Sequence, residues 1–332
     1  VNSVKILNQI GFDKFQNDKK FNPDKINFYS TKSSNKICEL DISEFNSNDC
    51  KYTTLKRSTL INFLKKDLED LIKTNYSVSK IDQEQEKIKL TFENKETHEC
   101  DYLIISDGVF SKSRNLFSNK QIQPKYNDTL AIRGMIPANS NIIDKKNILL
   151  FLGSDFHHVI YPISPGGDLN LIAIMKYKLS ADEQKNYSLF NDKLFIQKIL
   201  ENIPQENKEF FNNLKELKIF PVFVSDNFFE VKNKNIHLIG DAFFAFPPSF
   251  AQGASQSIEG AHELFASIEN NSNANFFKNR VNKTKMVNNR SKLNQFAFHL
   301  SNPLTVYLRN IFLKKLVKNK KFLESYLGKI YR

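Results

Sequence analysis

Two aspartates, each next to a glycine, follow short apolar runs and could each face a polar ligand. Asp241 comes after the apolar residues 236–239 and a glycine, and Asp107 comes after residues 102–105 and before a glycine. Ligands of open α/β sheets bind at the carboxyl ends of the strands, where a carboxylate can accept hydrogen bonds from sugar-type hydroxyls. A plain strand-turn-helix with an aspartate cap is the alternative for Asp241, and an ordinary Asp-Gly turn is the alternative for Asp107.

The sequence after Asp241 predicts a stiff loop and then a helix that opens at Gly253. Pro248 is the second of two prolines in the loop, and Gly253 and Ala254 begin a helix expected at 253–268. The first N–H groups of a helix have no acceptor within it and carry the positive end of its dipole. We therefore expect these N–H groups to face the ligand that lies before them.

His157 and Tyr161 are spaced four residues apart beside a predicted strand at 158–163. Residues four apart on a strand share one face, and a histidine with a pKa near neutrality can deprotonate a phenol. The pair is therefore a candidate for contact with a substrate. The alternative, a solvated loop histidine and a core tyrosine, stays open.

Hydrophobic periodicity places these residues in a mixed α/β fold. Strands are predicted at 77–81, 88–92, 102–105, 130–136, 148–152, 158–163, 169–177 and 236–239, and helices at 58–72, 181–200, 253–268, 276–300 and 303–327. The continuous apolar run 102–105 is typical of a central strand covered on both faces. We expect an antiparallel sheet domain (122–230) inserted into a first domain (1–121 with 231–270), and helices (271–332) that close the chain.

The composition is that of a globular protein and argues against several other classes. Hydrophobic residues make up 40% and charged residues 25% of the 332 residues, and no run reaches the roughly 18 apolar residues of a membrane span. The net charge of +12 is spread along a chain rich in lysine and asparagine, so we expect no nucleic-acid partner. Three scattered cysteines without a C-x-x-C pair predict no metal site and a reducing, cytoplasmic compartment.

The C-terminal helix is the exception to the even spread of charge. Its basic and apolar residues alternate: Arg309, Lys314, Lys315, Lys318, Lys320 and Lys321 stand beside Leu308, Phe312, Leu316 and Val317. Such a helix can lie on anionic lipid. We therefore keep open a peripheral contact with the inner face of a membrane, as an accessory property.

The two aspartate segments resemble the Asp-Gly and Gly-Asp motifs of the flavoprotein aromatic hydroxylases, a family that includes salicylate, para-hydroxybenzoate and ubiquinone-pathway hydroxylases. Weaker likenesses extend over nearly the whole chain, at Arg57-Ser58-Thr59-Leu60, at Arg133-Gly134 with Tyr161-Pro162-Ile163, and at Arg280 with Tyr307-Leu308-Arg309. The resemblance implies a Rossmann-like, three-layer FAD-binding domain and a sheet domain that binds a small aromatic substrate.

The resemblance also implies which residues contact FAD. They are Arg57, Asp107, Asp241, Pro248, Gly253 and Ala254. Asp241 would bind the ribityl chain, the N–H groups of Gly253 and Ala254 would meet the flavin ring, Arg57 would lie near the ribityl–phosphate region, and Asp107 would brace the cleft. A reduced flavin is anionic at its pyrimidine edge, which a helix N-terminus stabilises.

The reaction implied is the hydroxylation of a phenolic or quinone-precursor ring with electrons from NAD(P)H and oxygen from O2. FAD carries the difficult chemistry in such enzymes, while the protein orients and shields the reactants. Some salicylate-type relatives place a histidine and a tyrosine at the spacing of His157 and Tyr161 near the substrate phenol. The resemblance therefore makes these two the candidate catalytic residues.

Two departures from the family pattern affect these expectations. The family opens with G-x-G-x-x-G, whose backbone holds the FAD pyrophosphate, and no such pattern occurs here. Residues 1–7 resemble the helix that follows it, so we expect the first βαβ unit to be missing from this sequence. Phe243-Phe244 also stands where many relatives have Ala-His, which leaves a histidine beside the flavin in doubt.

Other functions fit less of the sequence. The motif of flavin-dependent halogenases needs tryptophan, which this chain lacks, and the same absence weakens a geranylgeranyl-reductase assignment. A truncated, non-catalytic remnant that does not retain FAD, and a basic membrane-surface protein, remain the alternatives.

Overall fold

The computed structural model describes residues 2–46, 50–84, 87–118, 121–142, 144–272 and 275–331 of the chain. These residues form two compact units. The first unit comprises residues 1–64, 126–222 and 292–332, and the second comprises residues 65–125 and 223–291.

The strands are, in chain order, β1 (Lys20–Phe21), β2 (Lys25–Ser30), β3 (Lys36–Asp41), β4 (Thr54–Leu55), β5 (Val78–Glu84), β6 (Lys87–Phe92), β7 (Thr97–Cys100), β8 (Leu103–Ile105), β9 (Lys125–Ile136), β10 (Ile148–Gly153), β11 (Phe156–Pro162), β12 (Leu169–Lys176), β13 (Lys215–Val224) and β14 (Ile236–Leu238).

The helices are α1 (Asn2–Asn8), α2 (Arg57–Lys65), α3 (Lys112–Asn115), α4 (Ala181–Lys185), α5 (Lys193–Leu200), α6 (Gln205–Asn212), α7 (Gly240–Phe243), α8 (Gly253–Glu269), α9 (Phe276–Phe298), α10 (Pro303–Leu316), α11 (Lys320–Leu323) and α12 (Lys329–Tyr331). None of the helices in the described part of the chain combines the length and the hydropathy that crossing a bilayer requires.

The first unit is built on a seven-stranded sheet in the order β13-β9-β12-β11-β10-β2-β3. Strands β9 to β12 pair antiparallel where they adjoin, whereas β10 pairs with β2 in parallel. One face is tightly closed, since Leu130, Ile132 and Leu171 are completely buried and Phe156 packs against Phe211 of α6 at 5.7 Å between ring centroids. Burial of each such side chain contributes about 1.5–3 kcal/mol.

The two units divide the chain differently from the predicted domains of 1–121 with 231–270, 122–230 and 271–332. Residues up to 64 belong with the sheet, because β2 pairs with β10 over five residues and β3 extends the same sheet. Helix α9 begins in the second unit and ends in the first, so residues 271–332 do not form a unit of their own.

The second unit contains a parallel pair, β8–β14, and the antiparallel meander β5-β6-β7. Ile88 and Leu90 of the meander share a buried cluster with Ile105 of β8 and with Ile236 and Leu238 of β14. On the other face of the pair, the ring of His237 meets Phe276 at the start of α9, at 5.7 Å. The meander, the parallel pair and the helix are three layers, as the predicted mixed α/β fold requires.

Several predicted elements are shorter than expected, and local backbone geometry explains where they end. The helix predicted at 58–72 ends at Lys65, because Asp67 has a φ of 64°. The helix predicted at 181–200 is broken at Asn186, which has φ −99° and ψ 84° and leads into a 3-10 turn. The helix predicted at 303–327 stops at Leu316, and Asn319 caps α11 with its side chain.

The prediction that residues 102–105 form a strand covered on both faces is wrong. Ile104 is 46% exposed and Tyr102 is 41% exposed. Ile105, on the face towards the meander, is buried, whereas Ile104 on the opposite face is not, and within the described residues β8 has β14 as its one sheet neighbour. The strands predicted around 77–81, 88–92, 130–136, 148–152, 158–163, 169–177 and 236–239 are confirmed within a few residues.

Candidate functional site

A glycine sets the turn that carries Asp241 beyond the end of β14. Gly240 has φ +59°, and a Cβ atom there would stand 3.1 Å from the Oγ of Ser257. Both the backbone angle and the close approach favour glycine. The chain then makes the single turn of α7, and Asp241 lies in that turn with an exposed side chain. The carboxylate therefore lies at the surface of the unit and not in its core.

Hydrogen bonds hold the loop after α7 in place, and the start of α8 is left open to solvent. The hydroxyl of the buried Ser291 donates a hydrogen bond to the carbonyl of Pro247, and the N–H of Ala251 donates to the carbonyl of Pro248 at 2.9 Å. Pro248 is exposed, and a Cβ placed on Gly253 would meet nothing within 4 Å. The first turn of α8 therefore presents its backbone to open space.

The carboxylate of Asp107 forms a hydrogen bond within the turn that follows β8. Its Oδ2 accepts a hydrogen bond from the N–H of Ser113 at 3.0 Å, and Gly108 has φ +86°. Ser111 caps α3 by accepting from the N–H of Arg114. Asp107 itself remains exposed, so the Asp-Gly turn is a rigid loop with one carboxylate on its surface.

Arg114 ties the Asp-Gly turn to the Gly-Asp turn. Its side chain is buried, and its guanidinium donates to the carbonyl of Ala242 at 2.9 Å and to the carbonyl of Val109 at 3.0 Å. Burial lowers the pKa of Arg114 from its usual value. Because β8 and β14 are parallel, with Ile105 opposite Leu238, both aspartates follow the carboxyl ends of neighbouring strands. The structure thus brings the two predicted segments together.

A second buried arginine fixes α8 against α9. Arg280 donates to the carbonyl oxygen of Gln256 at 2.9 Å and to its side-chain oxygen at 2.5 Å, and it forms ion pairs with Glu259 and Glu263. Gly260 leaves room for it, since a Cβ there would stand 3.2 Å from the Nε of Arg280. Sequence reasoning missed this role. The signal that could have found it is an arginine in a helix whose other basic residues are mostly lysines.

The remaining predicted residues, Arg57, His157 and Tyr161, belong to the first unit. Arg57 is the exposed first residue of α2. His157 is 2% exposed, and its Nδ1 lies 2.7 Å from the Nε2 of His299. Burial lowers the pKa of His157 well below its usual range, and His299 and His158 lower it further. The expected pKa near neutrality is therefore not met.

Tyr161 is half-buried on the same strand as His157. Burial raises the pKa of its hydroxyl, while the guanidinium of Arg133 and a hydrogen bond with Asn170 oppose the rise. Arg133 also lies over the ring of Phe220, at 5.6 Å. An exposed cation, a phenol hydroxyl and an aromatic ring are thus present in this part of the sheet.

The geometry around Asp241 suits an extended ligand with hydroxyl groups. The space that Asp241 shares with Gly240, Gly253 and Gln256 measures about 10 Å³, roughly the room needed for one water. A large ligand would therefore lie across the exposed carboxylate and the open start of α8. Hydroxyl groups of such a ligand would donate hydrogen bonds to the carboxylate, and an anionic edge would accept them from the N–H groups at the start of α8.

The family model for squalene epoxidase matches residues 100–312 of the chain. The FAD-dependent monooxygenase pigN of Monascus ruber is 26% identical over 198 residues, which are 54% of this chain and 44% of pigN. A salicylate hydroxylase of Pseudomonas putida is 24% identical over 241 residues, 64% of this chain and 53% of that protein. The chain thus spans about half the length of the curated relatives it matches.

The fold is also found in solved structures. HpxO of Klebsiella pneumoniae, in complex with FAD and uric acid, superimposes with a TM-score of 0.82 at 14% identity, over 99% of this chain and 85% of the HpxO chain. This likeness supports the mixed α/β fold, and the resemblance to flavoprotein hydroxylases is confirmed. Because the family model covers most of the chain, the protein belongs to the squalene epoxidase family of flavoprotein monooxygenases.

Proposed function

We propose that this chain is the FAD- and substrate-binding part of a monooxygenase that hydroxylates a small aromatic ring with NAD(P)H and O2. The observation that carries the proposal is the pair of aspartate turns at the carboxyl ends of β8 and β14, held together by the bond from Arg114 to the carbonyl of Ala242. A buried arginine that fixes two ligand-facing loops serves a site that must keep its shape.

On this proposal Asp241 accepts hydrogen bonds from the ribityl hydroxyls, and the N–H groups of Gly253 and Ala254 face the pyrimidine edge. Pro248 limits the motion of the loop, and Asp107 braces the neighbouring turn through Ser113. FAD, when bound, supplies the transfer of electrons from NAD(P)H and of one oxygen atom from O2. Arg57 is proposed to lie near the ribityl–phosphate region.

On the substrate side we propose that Tyr161 contacts the ring, with His157 as the predicted base. The half-buried hydroxyl of Tyr161 is more accessible than the buried His157, whose Nδ1 is already shared with His299. Salicylate and uric acid, which appear in the names of the relatives, are small planar molecules. Arg133 beside Tyr161 would suit a ring that carries negative charge.

The test is oxygen incorporation from ¹⁸O2 into a panel of phenolic acids, salicylate among them, with FAD and NAD(P)H supplied. One labelled atom per product is expected, and with FAD at a saturating concentration Tyr161→Phe or His157→Ala should lower turnover without changing the affinity for FAD. Loss of a positioned base costs about 10²–10⁴-fold. The matched control is Tyr187→Phe, an exposed tyrosine of the same unit. Equal turnover in all variants would return both residues to a structural role, and unlabelled product would contradict the proposal.

A peripheral membrane contact is supported by α10 as an accessory property. Leu304, Tyr307 and Phe312 are 66%, 63% and 59% exposed, and exposed lysines follow at the end of the helix. An exposed apolar face next to basic residues is typical of helices that bind anionic lipid. The predicted contribution of Arg309 is wrong, because this side chain is buried and donates to the carbonyl of Ala297.

Sedimentation with vesicles that contain phosphatidylglycerol measures this contact. We expect the chain to sediment with these vesicles and not with phosphatidylcholine alone, and Phe312→Ser should weaken the binding. Leu194→Ser is the control, since Leu194 is 77% exposed on α5. If both variants and the unchanged chain sediment equally, α10 does not bind the lipid surface.

A further inference from the structure

The second unit contains a cavity that the proposed FAD contacts do not use. It measures about 240 Å³ and lies where the segment before β14 meets the start of α9. Its apolar lining consists of Phe229, Phe243, Phe276 and Phe277 with Val231, Ile236 and Leu238, and the polar residues of the segment before β14 line the rest. An apolar cavity of about 150 Å³ is large enough to take up benzene, so this one can hold a single substituted ring.

The cavity has one polar group whose hydrogen-bonding capacity is unused. His237 lines it, and the imidazole bonds to the backbone of Lys234. The Nε2 atom of His237 is buried and has no hydrogen-bond partner among the described residues. The bond to Lys234 therefore uses Nδ1 and holds the proton there, which leaves Nε2 as a bare acceptor.

A buried acceptor without a partner is costly, and the group that would satisfy it is a hydroxyl or N–H donor brought by a ligand. The charged residues at the cavity, Glu230, Lys232 and Lys234, are exposed, so their charges are hydrated and a charged ligand would gain little from pairing with them. The occupant that fits is an uncharged apolar ring with one donor.

We propose that this cavity is a binding site for a small phenol-like molecule, whose hydroxyl donates a hydrogen bond to the Nε2 of His237. Phe243 and Phe276 also line the small space beside Asp241, so an occupant would touch the same rings that support the proposed FAD contacts. The site itself is built from the second unit and does not depend on FAD or on the proposed reaction.

The experiment compares phenol with toluene, which has nearly the same shape but no donor. Both are titrated calorimetrically into the 332-residue protein without FAD, and into His237→Phe, which keeps a ring and removes the acceptor. We expect both compounds to bind, and the preference for phenol relative to toluene to fall about 2- to 10-fold in His237→Phe, the range for one hydrogen bond. An unchanged preference would overturn the proposal.

Two further measurements keep the test independent of how His237→Phe folds. Val231→Phe should fill the cavity and abolish binding of both compounds, whereas Val78→Phe, a half-buried valine of β5 outside the cavity, should not. In the unchanged protein, phenol but not toluene should shift the ¹⁵N resonance of the Nε2 of His237. Absence of saturable binding, binding that survives Val231→Phe, or equal shifts with both compounds would each refute the site.

Discussion

At the scale of single residues, Gly240 determines whether Asp241 can stand beyond the end of β14. A side chain at this position would be strained, because the φ angle is +59° and the Oγ of Ser257 lies close by. The proposed FAD contacts begin with this residue, because α7 starts at Gly240 and carries the carboxylate. Gly253 differs, since its surroundings are open.

Gly240→Ala should lower the free energy of unfolding by about 1–3 kcal/mol, the cost of a left-handed backbone conformation in a residue other than glycine. Gly253→Ala is the matched control and should raise stability by about 0.4–1 kcal/mol, because its backbone is not left-handed, its Cβ would meet nothing, and alanine restricts the unfolded chain. Urea denaturation of both variants measures this. If Gly240→Ala is as stable as the unchanged chain, the turn is not under this constraint.

The sequence was informative about which residues stand in the two turns and uninformative about what holds them. Asp107 and Asp241 could be predicted because a glycine and an apolar run mark a strand end locally. The hydrogen bond from Arg114 to Ala242 joins residues 128 positions apart, and no local sequence pattern predicts it. The exposure of Asp241 was likewise beyond reach, because it depends on packing around α7.

At the scale of elements, a histidine pair joins β11 to the end of α9. His157 and His299 share a hydrogen bond of 2.7 Å, and the neighbouring His158 stacks on Phe151 at 4.5 Å. Burial lowers the pKa of His158 to about 3 and that of His299 to about 4. These rings are therefore neutral in the folded protein near neutral pH.

The histidines should make the protein less stable as the pH falls. Their folded-state pKa values are lowered, so below about pH 6.5 the unfolded chain binds protons that the folded chain does not, and stability is lost from there towards pH 4. Each such histidine contributes about 1 kcal/mol per pH unit in that window. In urea denaturation between pH 7 and 5, His158→Phe should reduce the slope by about that amount. An identical slope would show that His158 is not held neutral.

The ends of the elements could likewise be predicted only where a local sequence pattern determines them. The strands of the sheet were predictable from period-2 apolar patterns, as at β11 and β12. The break between α4 and α5 was not, because the apolar spacing continues through it and only the backbone at Asn186 reveals the 3-10 turn. The addition of β2 and β3 to the sheet also escaped prediction, since strand pairing between distant segments leaves no local sign.

At the scale of the whole molecule, the chain has residues suited to the ribityl and ring parts of FAD but no G-x-G-x-x-G for its pyrophosphate. That loop is a principal anchor of dinucleotides in Rossmann-like folds. We therefore expect these 332 residues to hold FAD weakly and to lose it during gel filtration. The ratio of flavin to protein absorbance in the eluted peak measures this, and a stoichiometric ratio would contradict it.

The most direct test of the account is a fluorescence titration of FAD with the unchanged chain, Asp241→Ala and the control Asp226→Ala, an exposed aspartate of the same unit. Charge-assisted hydrogen bonds contribute about 1.5–3 kcal/mol, so Asp241→Ala should weaken binding roughly 10- to 150-fold, and Asp226→Ala should not. Without FAD, both variants should melt like the unchanged chain, because surface substitutions usually change stability by less than about 0.5 kcal/mol. Equal FAD affinity in all three proteins would show that Asp241 does not hold the cofactor and would contradict the central claim.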